Sequence, residues 1–318
     1  MMSFSSKTKN ELARRTSDSK CCQLAELSAL VRVSGTIQLV GLGKTNLFIT
    51  TENPAIARLI FVLFKRSMQV HTVIDVVKNT VLRKNNSYQI KIADATDILK
   101  RLEIMIMDDD SLIINNGLPK KLIEDECCKR AYIRGTFLGG GSLSDPEKSY
   151  HMELITHRED YASELSELIN TYGLNSRVIG RKKNFIVYLK EGDQIVDLLN
   201  VIGAHTALLS FENTRIVKSV RNKVNRLVNC ETANLTKMVD AAVKQKQYIE
   251  IIEKYDGLES LPDNLREIAM IRLNNTDVSL KELGELLSPP IGKSGVNHRL
   301  RKIEKIALDI LEREDIHD

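Results

Sequence analysis

The chain of 318 residues is long enough for about two ordinary domains of roughly 150 residues. Apolar residues make up 42% and charged residues 28%, which excludes a disordered chain; the absence of Trp calls for an aliphatic core of Leu, Ile and Val. A net charge of +4 selects no partner, and an apolar run no longer than Leu59 to Phe64 excludes a membrane span, which takes about 20 residues.

The opening MMSFSSKTKNELARR lacks the apolar stretch of a signal peptide. The five cysteines fall into two adjacent pairs, Cys21/Cys22 and Cys127/Cys128, plus Cys230. They read as thiols of a reduced, cytoplasmic chain. Without CxxC or His spacing no zinc site is expected, and the pairs read as small buried residues at helix starts.

From Cys21 the elements follow in order. CCQLAELSALVRVSG is apolar at Leu24, Leu27, Leu30 and Val31, a helical spacing. TIQLV and TNLFIT are strands around a break at Gly41-Leu42-Gly43-Lys44. AIARLIFVLFKR is a helix, QVHTVIDVVK and SYQIKIA are strands, and DATDILKRL is a short helix with Asp94 as its expected cap. An acidic linker around Asp108–Asp110 follows.

A shift of 106 residues carries Cys21/Cys22 onto Cys127/Cys128 and Gly35 onto Gly141, and the order of elements then repeats. CCKRAYIRGTFLGGG is a helix, KSYHMELI a strand and REDYASELSELINTYG a helix ending at Gly173. SRVIG and NFIVYLK form a hairpin, and GDQIVDLLNVIG is the closing helix. The plan is αββαββα twice, over about 20–103 and 126–203. Ala131, Gly135 and Gly139 leave one face of the second opening helix nearly bare, as Ala25 and Ala29 do in the first. Such faces let two helices pack closely at a pseudo-twofold axis, with a sheet on either side forming a saddle.

Residues 1–212 thereby resemble the LAGLIDADG homing-endonuclease architecture, with Leu27–Gly35 and Ile133–Gly141 in the motif positions. That resemblance implies a metal-binding aspartate at the eighth position of each motif. Ser34 and Gly140 stand there instead, and neither replaces a carboxylate ligand. The expectation is a retained scaffold without nuclease activity, with no catalytic residue, cofactor or metal. Displaced carboxylates such as Glu26 or Glu153 keep a metal-dependent nuclease as an alternative. Gly43-Lys44-Thr45 is no phosphate loop, because Gln38 stands where the earlier glycine is needed.

Composition shifts after Ser210. Residues 213–235 read as a basic connector helix, with Arg215, Lys218, Arg221 and Arg226 at helical spacing and no acidic residue from Asn213 to Arg226. Such cations neutralise phosphates without reading sequence; an ordinary solvated connector accounts for them equally well. Residues 236–318 read as a helical domain. Met238 to Tyr255 is a long helix stopped at Gly257, and another starts at Pro262-Asp263. Ser279 with Glu282 forms a capping box, Pro289-Pro290 and Gly292 break the chain, and Ser294 caps a last helix with Val296, Leu300, Ile303 and Ala307 on its apolar face.

Short helix, break and longer basic helix over about 279–311 is the helix-turn-helix order, although the turn is longer than usual. Lys293, Ser294, Asn297, His298, Arg299, Arg301, Lys302 and Lys305 form the expected DNA-contacting set. Asn297, His298 and Arg301 are placed for bases, and Arg299, Lys302 and Lys305 for phosphates. The fold class is thus α/β (α+β): a duplicated saddle followed by an all-α helix-turn-helix domain.

The whole combination, including SFSSKTKNELAR, RAYIRGTFLGGGSLSDPEKSYHMEL and ENTRIVKSVRNKVNRLVNCETAN, resembles the WhiA family. The resemblance implies a nucleoid-associated bacterial DNA-binding protein tied to sporulation transcription or to cell division and chromosome segregation. Its partner would be double-stranded DNA, with no membrane. A protein partner on the saddle is the alternative, because the outward candidates Gln89, Lys91, Tyr188 and Lys190 are sparsely cationic for a DNA groove.

Overall fold

The computed structural model describes residues 2–41, 44–78, 86–109 and 111–314. Leu42, Gly43 and Asp110, named above, lie outside the described residues. Two compact units divide the chain, Met1–Ser219 and Val220–Asp318.

The first unit opens with α1 (Phe4–Leu12), then gives the duplicated order twice. One copy is α2 (Lys20–Ser34), β1 (Gly35–Gly41), β2 (Lys44–Thr51), α3 (Pro54–Leu63), β3 (Val73–Lys78), β4 (Asn86–Ile92) and α4 (Thr96–Arg101). After a hairpin of β5 (Met105–Asp108) and β6 (Ser111–Ile114), the other copy is α5 (Glu126–Gly140), β7 (Gly141–Leu143), β8 (Met152–Thr156), α6 (Glu159–Asn170), β9 (Arg177–Arg181), β10 (Asn184–Leu189) and α7 (Gly192–Ile202). Both four-stranded sheets are antiparallel with the same order, β1-β2-β4-β3 and β7-β8-β10-β9. Alternation sets the inner faces: Leu47, Ile49, Ile90 and Ile92 are buried in one sheet, Leu154, Val187 and Leu189 in the other.

α2 and α5 pack on each other between the sheets. A Cβ added at Gly135 would lie 2.4 Å from the Glu26 carbonyl oxygen, and one at Gly139 would lie 3.1 Å from Val33 Cβ. The bare faces therefore do meet, and only glycine fits at 135. Across this seam Glu26, fully buried, receives two hydrogen bonds from Arg134, Nε to Oε1 at 3.0 Å and Nη2 to Oε2 at 2.9 Å.

Three local expectations are corrected in this unit. Asp108 pairs with Ser111 across the β5–β6 hairpin rather than lying in a linker, and Asp109 has φ 47°. Arg32 of α2 ties the hairpin down through the Glu103 and Asn115 carbonyls. Asp94 does not cap α4: its backbone is left-handed, and Ala95 takes the cap position without a side-chain bond. Of the paired cysteines, Cys22 and Cys128 are buried as expected, but Cys21 and Cys127 are exposed.

The helices expected at 213–235 and 238–255 are one helix, α8 (His205–Tyr255). No glycine or proline interrupts that stretch, while Gly203 and Gly257, both at positive φ, bracket it. The second unit continues with α9 (Asp263–Asn274), α10 (Leu280–Glu285) and α11 (Lys293–Glu314). Ile249, Ile252, Leu265, Ile268, Leu283, Val296, Leu300, Ile303, Ala307 and Ile310 form its core.

The capping box forms as expected: Ser279 Oγ accepts the Glu282 amide at 3.3 Å, and Glu282 accepts the Ser279 amide at 2.7 Å. Ser279→Ala should lower the stability of this unit by about 1 kcal/mol in urea titrations, because one first-turn amide loses its acceptor.

Candidate nucleic-acid interface

Two tight contacts seat the turn before α11 on α10. The Ile291 amide donates to the Gly284 carbonyl at 3.0 Å, and a Cβ at Gly284 would lie 2.2 Å from the Ile291 carbonyl oxygen. The longer turn is thereby folded back on α10, with no room for a side chain at 284. Arg272, fully buried, bonds Gln245 of α8 at 2.9 Å and the Val278 carbonyl before α10 at 2.8 Å. Burial holds its pKa below the usual guanidinium value. Arg272 is a positioning residue that sequence reasoning missed; its signal was a single cation on the apolar face of REIAMIRLNN.

With Val296, Leu300, Ile303 and Ala307 turned into the core, Ser294, His298, Arg301 and Lys305 recur at i, i+4, i+7 and i+11 and stay exposed. They make one polar stripe opposite the apolar one. Lys302 is exposed on one flank of the stripe, and Asn297 is half-buried on the other. Lys293 is exposed at the helix start. Arg299 is half-buried and bonds the Asn264 carbonyl at 3.3 Å, so part of its donor capacity is spent within the unit. Ser294 is no cap: α11 begins at Lys293, and the Val296 amide already bonds Gly292 at 3.1 Å.

The α8 cations split in two. Arg215 is neutralised by Asp193 and Glu212, and Lys218 bonds the Pro146 carbonyl at 3.2 Å and sits 5.0 Å from the Tyr150 ring centre. Arg221 and Arg226 are exposed. Counting charges along one helix could not reveal Asp193, which α7 supplies.

The two sheets differ on their outer faces. One row of the first runs Thr36, Phe48, Lys91, Val73, with Val77 also exposed. The matching row of the second runs Ser142, Glu153, Tyr188, Arg177, and exposed Arg181, Lys182, Lys183 and Lys190 stand near it in the chain.

Neither motif position carries a carboxylate. Ser34 Oγ bonds the Leu30 carbonyl at 2.6 Å, and a Cβ at Gly140 would meet Val33 Cγ1 at 2.5 Å. Glu26 is sealed with Arg134, and Glu153 faces His151 at 3.3 Å on the outer sheet.

Three domain models of one family match the chain: the WhiA N-terminal LAGLIDADG-like domain over 20–105, the WhiA LAGLIDADG-like domain over 129–221 and the WhiA C-terminal HTH domain over 224–307. A protein of Alkaliphilus metalliredigens named "Probable cell division protein WhiA" is 55% identical over 309 residues, 96% of this chain and 98% of its own. The chain belongs to the WhiA family. A protein of the same name from Alkaliphilus oremlandii is 56% identical over 315 residues, covering 98% of both chains. Full-length DUF199/WhiA from "Thermatoga maritima" matches in structure with a TM-score of 0.60 at 25% identity, over 97% of this chain and 99% of that one. The family's two domain types coincide with the architecture found here: a LAGLIDADG-like duplication and an all-helical region matching a helix-turn-helix. Among the described residues no helix is long and apolar enough to cross a membrane.

Proposed function

We propose that the chain is a non-enzymatic DNA-binding protein that serves cell division, the process for which its relatives are named, as a regulator of transcription in division, chromosome segregation or sporulation. The observation that carries this reading is the stripe of Ser294, His298, Arg301 and Lys305 on a helix whose opposite face is locked into its unit. A rigid helix with a cationic, hydrogen-bonding face meets the demands of a major groove. Arg301 and His298 read base edges, with Asn297 beside them. Lys293, Lys302, Lys305, Arg221 and Arg226 hold phosphates, and Arg299 adds its unshared donors. Arg215 and Lys218 are proposed for weaker phosphate contacts, since carboxylates or carbonyls already engage them.

A salt series of binding isotherms with full-length protein and genomic fragments tests the reading. Arg301→Ala should cost about 1–3 kcal/mol at bound sites and relax discrimination between sites. Lys302→Ala should weaken all fragments alike and flatten the log affinity against log salt slope by about 0.9. Folded protein that retards no duplex at low salt defeats the proposal.

The outer face of the first sheet favours a second role. With Val73 and Phe48 beside Lys91, and Val77 exposed farther along the same strand, it suits a protein partner better than a phosphate backbone.

A further inference from the structure

Cys21 and Cys22 are the second and third residues of α2, and Cys127 and Cys128 hold the same places in α5. Because the two helices pair along the seam, these ends come together. The four sulfur atoms all lie within 4.8 Å of one another, with Cys127 and Cys128 at 4.0 Å. Among the described residues, no other group of three or more His, Cys, Asp or Glu side chains converges in this way. The duplication explains what spacing along the chain hides: each repeat supplies one adjacent pair, and only the folded seam assembles four.

Four sulfurs around one zinc at about 2.3 Å stand about 3.8 Å apart, the edge of the tetrahedron. Side-chain rotations that move sulfurs by under about 1 Å therefore close the observed cluster onto a single ion. A polynuclear iron–sulfur cluster holds its cysteines farther apart than that. Hard cations such as magnesium do not choose thiolates.

The surroundings suit thiolates. Neither Ser19 nor Asp125 caps its helix with a side-chain bond, so the positive ends of α2 and α5 are left to the sulfurs. The Ser19 hydroxyl lies 3.0 Å from Cys21 Sγ. In the chain Lys20 and Lys129 flank the pairs, but so do Glu124, Asp125 and Glu126, and Arg130 is paired with Glu126 at 3.3 Å, so it is the helix ends and the sulfur geometry that favour thiolates.

We infer that Cys21, Cys22, Cys127 and Cys128 bind one tetrahedral thiophilic divalent cation, zinc, that clamps the N-terminal ends of α2 and α5 together. All four positions are filled by protein sulfur, leaving none for water, so the site is structural and hydrolyses nothing. It lies at the opposite end of the seam from Ser34 and Gly140. Binding releases thiol protons and adds to the stability of the first unit.

The test uses full-length protein, reduced, stripped of metal and titrated with cobalt(II). The expected result is the intense visible absorption of tetrahedral cobalt–thiolate together with near-ultraviolet sulfur-to-cobalt charge transfer, saturating at one ion per chain and bleached by zinc. Zinc should raise the melting temperature of the wild type. The double variant Cys21→Ser/Cys127→Ser, altered at the exposed pair and so able to fold, should lose both responses, and Cys230→Ser should keep both. Three results overturn the inference: four reactive thiols with no cobalt spectrum, a protein lighter by the hydrogens of one or two disulfides that takes up no metal, or a spectrum unchanged in the double variant.

Discussion

Arg134→Leu is expected to lower the stability of the first unit by about 3–5 kcal/mol, read from urea denaturation of the full chain. Glu26 is fully buried and its carboxylate takes both of its hydrogen bonds from Arg134. Removing the guanidinium leaves a charge with neither partner nor water. Burial already pushes the Glu26 pKa up, and the Arg134 bonds pull it partly back. For Arg134 itself, burial lowers the pKa, but the Glu26 bonds outweigh it and the net shift is upward. The variant removes the pull on Glu26, so its folded-state value climbs further above the unfolded one, near 4.3. Between those two values the folded state holds a proton that the unfolded state has lost. The stabilising contribution is full below the unfolded value and fades as pH rises through the folded one. The deficit against wild type should therefore be smaller near pH 5 than near pH 8. Glu26→Leu/Arg134→Leu should recover much of the loss, since an apolar pair carries no desolvation cost. A single variant as stable as wild type at both pH values would show that the pair is not sealed.

Gly135→Ala and Gly139→Ala should part company, although each puts alanine on the same face of the same helix. Both gain about 1 kcal/mol of helix propensity. At 135 the new methyl would meet the Glu26 carbonyl oxygen at 2.4 Å and Ala29 Cβ at 2.9 Å, so the helices must move apart. Overpacking of this kind costs about 1–3 kcal/mol or more, and the net effect should be destabilising. At 139 the nearest atoms are Val33 Cβ at 3.1 Å and Cγ1 at 3.2 Å; Cγ1 can turn away, and Cβ needs a backbone shift of only a few tenths of an ångström, much less than the clash at 135 demands. That variant should stay within about 1 kcal/mol of wild type. Thermal melts of the two side by side isolate the backbone contact, because the propensity gain is common to both. Equal melting temperatures would mean that α2 and α5 do not approach as closely as Gly135 implies.

Periodicity and repetition made the αββαββα plan, the capping box and the apolar face of α11 readable, because each is written in residues within a turn or two of one another. What stayed hidden depends on partners far along the chain. Glu26 and Arg134 are 108 residues apart, so Glu26 stands out as a carboxylate while its partner does not. The MIMDDDSLII stretch reads as a solvated linker because its acidic centre dominates, yet a hairpin needs only a sharp reversal there and backbone pairing on either side. Arg215 has Glu212 three residues before it in sequence, but its second carboxylate, Asp193, comes from another helix and shows only in space. Helix ends were misjudged where composition changed without a breaker: charge shifts around 213 and 236, but α8 runs through both.

The Glu26–Arg134 pair also gives the duplication a polarity. Under the 106-residue shift Glu26 corresponds to Tyr132, and Arg134 to Ser28, so the two halves present unlike faces. Two copies of the first half, joined through the same surface, would set each buried Glu26 against a serine. Two copies of the second would set each Arg134 against a tyrosine. Either homotypic union strands two ions in the interior, at about 3–5 kcal/mol apiece. The charges thus match each half to its complement rather than to a second copy of itself.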